Sequence, residues 1–157
     1  MMRNNEFFLE MKRIGHAYEG KRAAHQSMKQ AIIDVFGWDS EELRVWYDEK
    51  KAIRFPYPPG ASKAYRAWVW SIEKGEDEVE MNEFLWEREV GDFVETLRKA
   101  GVKSLVYTNK STAVMDNLHD FAKEGCTLDG LCTITRRETM WGDEEEDAVQ
   151  GIRFILN

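Results

Sequence analysis

The chain has 157 residues, of which 43% are hydrophobic and 12% aromatic, and its formal net charge at pH 7 is −7. This length fits one ordinary domain with a sizeable core, and the apolar content excludes a disordered chain. The charge is uneven, because residues 1–66 carry 12 Lys and Arg against 9 Asp and Glu, whereas residues 67–157 carry 10 against 20. The apolar runs are too short to cross a bilayer, and charged residues interrupt every signal-peptide candidate near the N-terminus. Because Cys126 and Cys132 form no disulfide framework, we expect a cytoplasmic protein without membrane contact.

The N-terminal region has helical apolar spacing up to Gly37. Asn5 is a suitable N-cap, and Gly37 is a suitable C-terminal stop. The centre around Gly20 lacks apolar residues in the matching phase. Either two helices meet near Gly20, or one long helix projects its middle into solvent.

A second helical segment is predicted to begin at Asp39 and Glu42, which resemble a capping box, and to run to about Lys50. A hairpin of Val45–Tyr47 with Ile53–Phe55 is the alternative for this stretch.

The clearest break in the chain is the proline-rich segment 56–60. After it, Ser62 is the expected cap of a helix through Lys74, although the run Trp68–Ile72 also alternates as a strand would. We expect one domain over residues 1–157, with an optional division into a helical N-terminal subdomain (1–55) and an α/β core (61–157).

The C-terminal half alternates strands and helices. The expected strands lie at Val79–Met81, Ser104–Thr108, Leu131–Thr135 and Gly151–Leu156, and the expected helices follow Glu87 and the Asn109–Ser111 cap. Two consecutive crossovers with parallel pairing are predicted, and the last strand should pair antiparallel with its predecessor. The predicted fold class is therefore α/β, with a small mixed sheet flanked by helices and a helical N-terminal region.

The candidate ligand site is the turn formed by Thr108, Asn109, Lys110, Ser111 and Thr112. It is expected where a strand ends and a helix begins, a place where free helix N–H groups attract anions. Ordinary helix capping by Asn109 or Ser111 explains the same residues. No glycine-rich phosphate motif accompanies them.

Other polar groups are expected to have structural roles. Asp116 and His119 share a helix face but have no third ligand, and the two cysteines are interpreted as structural thiols. The acidic run Asp143–Asp147 is expected to form a mobile, solvated hairpin tip. No metal site, cofactor or catalytic residue is predicted.

Four short stretches carry a resemblance to a known family: Trp86–Val90, Leu97–Lys103, Tyr107–Thr112 and Gly125–Leu131. Residues 86–137 resemble small uncharacterised proteins carried on bacterial mobile elements and phages. This resemblance implies an accessory role in a bacterial cytoplasm and assigns no activity to any residue.

Three hypotheses for the function remain open. The six tryptophans and the lack of a catalytic constellation favour a non-catalytic accessory protein that binds a protein partner or a second copy of itself. The ten Asp and Glu between residues 73 and 95 are the basis of an alternative, an acidic inhibitor or nucleic-acid mimic. A ligand binder or small enzyme using the 108–112 turn is the third. Direct nucleic-acid binding is not expected.

Overall fold

The computed structural model describes residues 2–140 and 142–157. Within these residues the helices are α1 (Glu6–Ser27), α2 (Lys29–Phe36), α3 (Glu41–Ala52), α4 (Pro59–Glu73), α5 (Glu87–Lys99) and α6 (Val114–Lys123), preceded by a short 3-10 turn (Met2–Asn4). The strands are β1 (Val79–Met81), β2 (Ser104–Tyr107), β3 (Thr127–Met140) and β4 (Asp143–Ile155). None of the helices in this part of the chain is both long enough and apolar enough to cross a bilayer.

The four strands form one sheet in the order β1-β2-β4-β3. β1 and β2 pair parallel, whereas β4 pairs antiparallel with both β2 and β3. The predicted class, a small mixed sheet with helices and a helical N-terminal region, is therefore confirmed. The antiparallel pairing of the last strand with its predecessor is also confirmed.

The second predicted parallel pairing is wrong, because β4 lies between β2 and β3. Phe154 on β4 is buried, whereas β3 carries Thr, Arg and Glu side chains along most of its length. The C-terminal part of β4, residues 152–155, pairs with both neighbours and gains most from the central position, and the polar β3 tolerates the edge of the sheet. The last strand therefore takes the inner position.

The described residues divide into two compact units. The helical unit is Leu9–Pro56, and the α/β unit comprises Tyr57–Asn157 together with the N-terminal residues through Phe8. Whether the chain behaves as one domain or two stays a prediction.

Helix α1 continues through Gly20 and residues 19–24 are exposed, so of the two alternatives the single long helix with its middle in solvent is confirmed. Asn5 caps the helix as expected, since its Oδ1 accepts a hydrogen bond from the N–H of Phe8 at 3.1 Å. The helix ends at Ser27, whose hydroxyl donates to the carbonyl of Ala24 at 2.7 Å. This back-bonding competes with the helical ladder, and α2 begins after Met28.

A tight turn joins α2 and α3. Gly37 ends α2 with a φ of 86°, as predicted, and its N–H donates to the carbonyl of Ile33 at 2.8 Å. The cap of α3 is Ser40 rather than Asp39, because the Ser40 hydroxyl accepts a hydrogen bond from the N–H of Leu43 at 3.2 Å. Residues 41–52 are thus helical, and the hairpin alternative is wrong.

Helix α4 begins at Pro59, three residues before the predicted cap Ser62. Proline is favoured in a first helical turn because its missing N–H would have no helical partner there. Residues 65–72 are helical rather than extended, because small side chains spaced at helical intervals allow one face to be buried. Buried residues on this face are Gly60, Ala61, Ala64, Ala67, Trp68 and Ser71.

Aromatic side chains fill the core beneath α5 and α6. The ring of Phe121 lies 5.1 Å from that of Phe154, 5.5 Å from Tyr107 and 6.1 Å from Phe93, measured between centroids. The hydroxyl of Tyr107 donates to Asn117 at 2.5 Å, and burial raises the pKa of Tyr107 to about 12. These contacts hold both helices against β2 and β4.

The acidic run Asp143–Asp147 is exposed at the tip of the β3–β4 hairpin, so the predicted solvated hairpin tip is confirmed, but the run is part of strand β4 and the predicted loop is wrong. Arg136 of β3 stands opposite Asp147, and Arg137 opposite Glu146. Opposite charges at these two positions offset part of the repulsion within the run, whereas Glu145 stands opposite Glu138. The predicted strands near 131–135 and 151–156 are therefore parts of one long hairpin.

The close approach of α4 to α5 depends on Gly60. A Cβ at this position would overlap the carbonyl oxygen of Glu89 and lie 2.9 Å from the backbone nitrogen of Phe93. We expect Gly60→Ala to lower the free energy of unfolding by about 3 kcal/mol, because backbone on α5 cannot yield locally. The measurement is urea denaturation followed by circular dichroism.

Gly20→Ala is the matched control, because a Cβ on this α1 glycine meets nothing within 4 Å. It should raise stability by about 0.5–1 kcal/mol through helix propensity. Equal effects of the two substitutions would contradict the close-packing argument.

Candidate functional site

Thr108, the first residue of the predicted turn site, faces the protein interior. Its hydroxyl donates to Oε2 of Glu80 at 2.5 Å, and its N–H donates to the carbonyl of Met81 at 2.9 Å. Thr108 is buried. It therefore links β2 to β1.

Asn109 fastens the turn to the end of β1. Its Nδ2 donates to the carbonyl of Asn82 at 2.8 Å, and its Oδ1 accepts from the N–H of Ser111 at 3.0 Å. Helix α6 begins at Val114 after Ala113, which makes no side-chain cap. The predicted capping of α6 by Asn109 or Ser111 is wrong, because the Asn109 side chain closes its own local turn instead.

Thr108, Asn109 and Lys110 of the turn line a small depression of about 180 Å³, which also contacts Leu131 and Gly151, whereas Ser111 and Thr112 do not line it. Lys110 and Thr112 are exposed, and the Ser111 hydroxyl is buried without a hydrogen-bond partner among the described residues. The depression is smaller than typical pockets for small molecules, which span roughly 300–1,000 Å³. Ligand binding by this turn stays a prediction.

A buried ion pair lies on the same side of the sheet as Thr108. Glu80 of β1 is fully buried, and its carboxylate accepts hydrogen bonds from both Nε (2.8 Å) and Nη2 of Arg136 on β3. The Arg136 guanidinium also lies over the ring of Trp70, 5.6 Å from the centroid. Three protein donors, two from Arg136 and one from Thr108, thus engage this carboxylate.

Glu76 lies beside this pair without a hydrogen bond of its own. Its side chain is 2% exposed, and neither carboxylate oxygen has a hydrogen-bond partner among the described residues. The closest cation is Arg136, whose Nε lies 3.6 Å from Oε1 of Glu76. One arginine therefore faces two buried carboxyl groups.

The end of α4 positions both glutamates. The N–H of Glu76 donates to the carbonyl of Ser71 at 2.9 Å, and the N–H of Glu80 donates to the Ser71 hydroxyl at 2.8 Å. Gly75 provides the turn between helix and strand, with a φ of 62°. Ser71 thereby fixes where both carboxyl groups lie.

The two carboxyl groups have opposite pKa shifts. Burial, reinforced by the neighbouring Glu80 carboxylate, raises the pKa of Glu76 to about 9. Burial alone would also raise the pKa of Glu80, but hydrogen bonds from Arg136 and Thr108 outweigh it and lower the pKa to about 2. At neutral pH the cluster thus holds one proton on Glu76 and one negative charge on Glu80.

Glu76 lines an open groove of about 350 Å³, which we call the carboxylate groove. Its other lining residues are Gly75, Asp77, Glu78, Thr133, Ile134, Thr135, Arg137, Glu146 and Arg153. Arg153 pairs with Glu78 at 3.1 Å, and Arg137 pairs with Glu146 at 3.7 Å. The basic side chains of the groove are thus already neutralised.

Of the two buried carboxyl groups in this arrangement, one borders the groove. Glu80 is hydrogen-bonded to Arg136 and Thr108 and does not line the groove, whereas Glu76 does. Among residues 2–140 and 142–157 no three His, Cys, Asp or Glu side chains gather as a metal site.

Residues 63–156 match a family described as a domain of unknown function, DUF7698. The chain belongs to the DUF7698 family. No curated protein and no solved structure matches the chain. The DUF7698 match includes Glu76, Glu80 and Arg136.

The other groups considered from the sequence do not join the carboxylate groove of the DUF7698 domain. Asp116 and His119 are exposed on α6. Cys126 is buried and Cys132 half-buried, both are free thiols, and burial raises the pKa of each. Raised thiol pKa values favour the structural interpretation of both cysteines.

Outside the DUF7698 match, the helical unit exposes three large apolar side chains at the α2–α3 turn. Val35 is 74% exposed, Phe36 53% and Trp38 71%, and we call these residues the apolar knob. Asp34 and Asp39 flank the knob and are also exposed. Exposed aromatic clusters of this kind are typical of binding surfaces.

The same unit also has an open groove of about 410 Å³ between α1 and the segment after α3. Its apolar lining residues are Ile14, Ala17, Tyr18, Ala52, Ile53 and Pro56, and its charged residues are Arg13, Lys21 and Arg54. We call it the basic groove, because no acidic side chain lines it.

Removing the cation of the buried pair should destabilise the DUF7698 domain strongly. Arg136→Met keeps the aliphatic stem but leaves Glu80 buried without its counter-charge. We expect a loss of about 3–5 kcal/mol in the free energy of unfolding, measured by urea denaturation at pH 7.

Arg137→Met is the matched control, because Arg137 is 55% exposed and its partner Glu146 is also exposed. It should cost less than about 1 kcal/mol. The double variant Arg136→Met/Glu80→Gln should recover part of the free energy of unfolding that Arg136→Met loses. If the effects of the two substitutions on this free energy simply add, the two side chains do not interact directly.

The raised pKa of Glu76 should make stability fall as pH rises. Folded protein holds a proton on Glu76 between the ordinary value of 4.5 and about 9, whereas unfolded protein does not. The free energy of unfolding should therefore fall by up to about 1.4 kcal/mol per pH unit in this window. Glu76→Gln should remove this dependence and be more stable than the wild type at pH 8.

Glu73→Gln on exposed α4 surface is the control and should keep the wild-type pH dependence. Denaturation curves at pH 5, 6, 7 and 8 provide the comparison. Parallel pH profiles for wild type and Glu76→Gln would refute a buried, protonated Glu76.

Proposed function

We propose that the chain is a non-catalytic binding protein that acts through protein–protein contacts, with the contact surface on its helical unit. The observation that carries this proposal is the apolar knob of Val35, Phe36 and Trp38, three large side chains that are each more than half exposed. Exposing them to water is unfavourable unless another surface covers them.

The knob stands on a rigid support. Gly37 and Ser40 fix the turn, since the Ser40 hydroxyl donates to the carbonyl of Gly37 at 3.0 Å and accepts from the N–H of Leu43 at 3.2 Å. Beneath it, Ile33, Leu43 and Trp46 form the core cluster of the unit. A fixed aromatic side chain loses little conformational entropy on binding.

The occupant proposed for this surface is a second copy of the chain. The apolar knob and the basic groove are complementary in two respects. Both are apolar, and the acidic Asp34 and Asp39 beside the knob match the basic Lys21 and Arg54 of the groove. Because the contact joins two different surfaces, the knob of each copy can bind in the basic groove of the other, which gives a closed dimer.

Sedimentation velocity of purified protein tests this contact. We expect a concentration-dependent dimer for the wild type and a monomer for Trp38→Ser, which removes the largest knob side chain. Lys21→Glu, which reverses a groove charge, should also be monomeric. An equimolar mixture of the two variants should dimerise again, because each variant retains the surface that the other lacks.

Trp86→Ser and Lys12→Glu are matched controls for the two substitutions, since both residues are exposed and lie outside knob and groove. Both should remain dimeric. A wild-type monomer at all concentrations, or a mixture that stays monomeric, would overturn the proposed contact.

The acidic inhibitor or nucleic-acid mimic has weaker support. Glu76, Glu80 and Glu89 of the acidic stretch are buried, and Lys63 pairs with Glu89 at 2.6 Å. The exposed acidic run Asp143–Asp147 is the feature that favours this alternative. An accessory role for a bacterial mobile element, implied by the resemblance over residues 86–137, stays a prediction.

A further inference from the structure

We propose that the carboxylate groove is a binding site for a small alkylammonium ligand, whose charged nitrogen pairs with the carboxylate of Glu76. This proposal is separate from the contact surface of the helical unit, since the groove lies wholly within the α/β unit.

The first reason is that the Glu76 carboxyl group lacks a hydrogen-bonded cation, since Arg136 lies 3.6 Å from it and donates its hydrogen bonds to Glu80. Both oxygens are buried and accept no hydrogen bond from the described residues, and Glu76 is one of the residues that line an open groove. A buried polar group without a partner costs about 1–3 kcal/mol, so proteins rarely keep one without a role. A donor entering through the groove would satisfy both oxygens.

The second reason is the charge balance of the cluster. Arg136 neutralises one carboxylate, and its two donating nitrogens are directed at Glu80. With Glu76 protonated the cluster of three is neutral, and with Glu76 ionised it carries one excess negative charge. The ionised state therefore needs one further cation, and the groove is the open route to it.

The third reason is the lining of the groove. Arg137 and Arg153 are paired with Glu146 and Glu78, so Asp77 gives the lining an excess of negative charge. A metal ion prefers several oxygen ligands at short distance, and no such set gathers among the described residues. An ammonium group needs fewer acceptors, and its alkyl chain can lie along Ile134.

Binding should exchange a proton for the ligand. The groups that face Glu76 are Glu80 from β1 and Arg136 from β3, and the groove adds Asp77, Glu78, Arg137, Glu146 and Arg153. Because these surroundings raise the pKa of Glu76 to about 9, the site is neutral at pH 7 and must release a proton as the ammonium binds. Affinity should therefore rise about tenfold per pH unit between pH 6 and pH 8.

Isothermal titration calorimetry with butylammonium chloride tests the site. At pH 7, titrations in two buffers of different ionisation enthalpy should give about one proton released per ligand bound. Affinity at pH 8 should exceed that at pH 7 about tenfold. The neutral analogue 1-butanol should bind at least tenfold more weakly than butylammonium.

Glu76→Gln should reduce the affinity for butylammonium at least tenfold and abolish proton release, whereas Glu73→Gln should leave both unchanged. Circular dichroism of each variant verifies folding before titration. Absence of butylammonium binding to the wild type, equal binding of 1-butanol, or unchanged binding to Glu76→Gln would each overturn the proposal. None of these outcomes depends on the self-association of the helical unit.

Discussion

The α/β unit depends on the buried ion pair between Arg136 and Glu80. Glu80 lies on β1 and Arg136 on β3, the two edge strands of the sheet, so the pair joins strands that share no ladder. The N–H of Arg137 donates to the carbonyl of Lys74 at 2.7 Å, which fastens the same part of β3 to the end of α4. Since a three-residue edge strand is weakly held by β2 alone, the pair fixes β1 and the segment before it.

The Arg136–Glu80 ion pair also explains why a buried, protonated Glu76 lies beside the carboxylate groove. The segment that carries Glu80 into the interior also brings in Glu76, and one arginine cannot neutralise both carboxyl groups. Filling the space of Glu76 with an apolar side chain would be the more stable solution. A local arrangement that lowers stability without a structural gain is characteristic of functional sites, where the usual rules of packing are relaxed.

Features encoded by neighbouring residues could be predicted from the sequence, whereas features that depend on distant pairings could not. Helix α5 and strands β1 and β2 follow from local apolar spacing, and Gly37 from the need for a positive φ. The Arg136–Glu80 pair joins residues 56 positions apart, and no local pattern indicates it. One signal was present in the sequence: Glu80 lies between Val79 and Met81 in a short apolar strand, where an ionised side chain requires a partner.

The wrong predictions share a physical cause: in each, a contact with residues distant in the sequence is stronger than the preference of the local sequence. Asp143–Asp147 repel one another as a run, yet arginines on β3 hold the run in a strand. Asn109 has the chemistry of a helix cap, yet its side chain amide donates to Asn82 and its oxygen closes its own turn. The same reasoning explains why Glu76 was missed, since a glutamate in an acidic stretch is expected in solvent. Glu76 is a buried acid beside an open groove only because α4, β1 and β3 pack around Arg136. The DUF7698 match covers β1, β3 and the part of α4 from residue 63 onward.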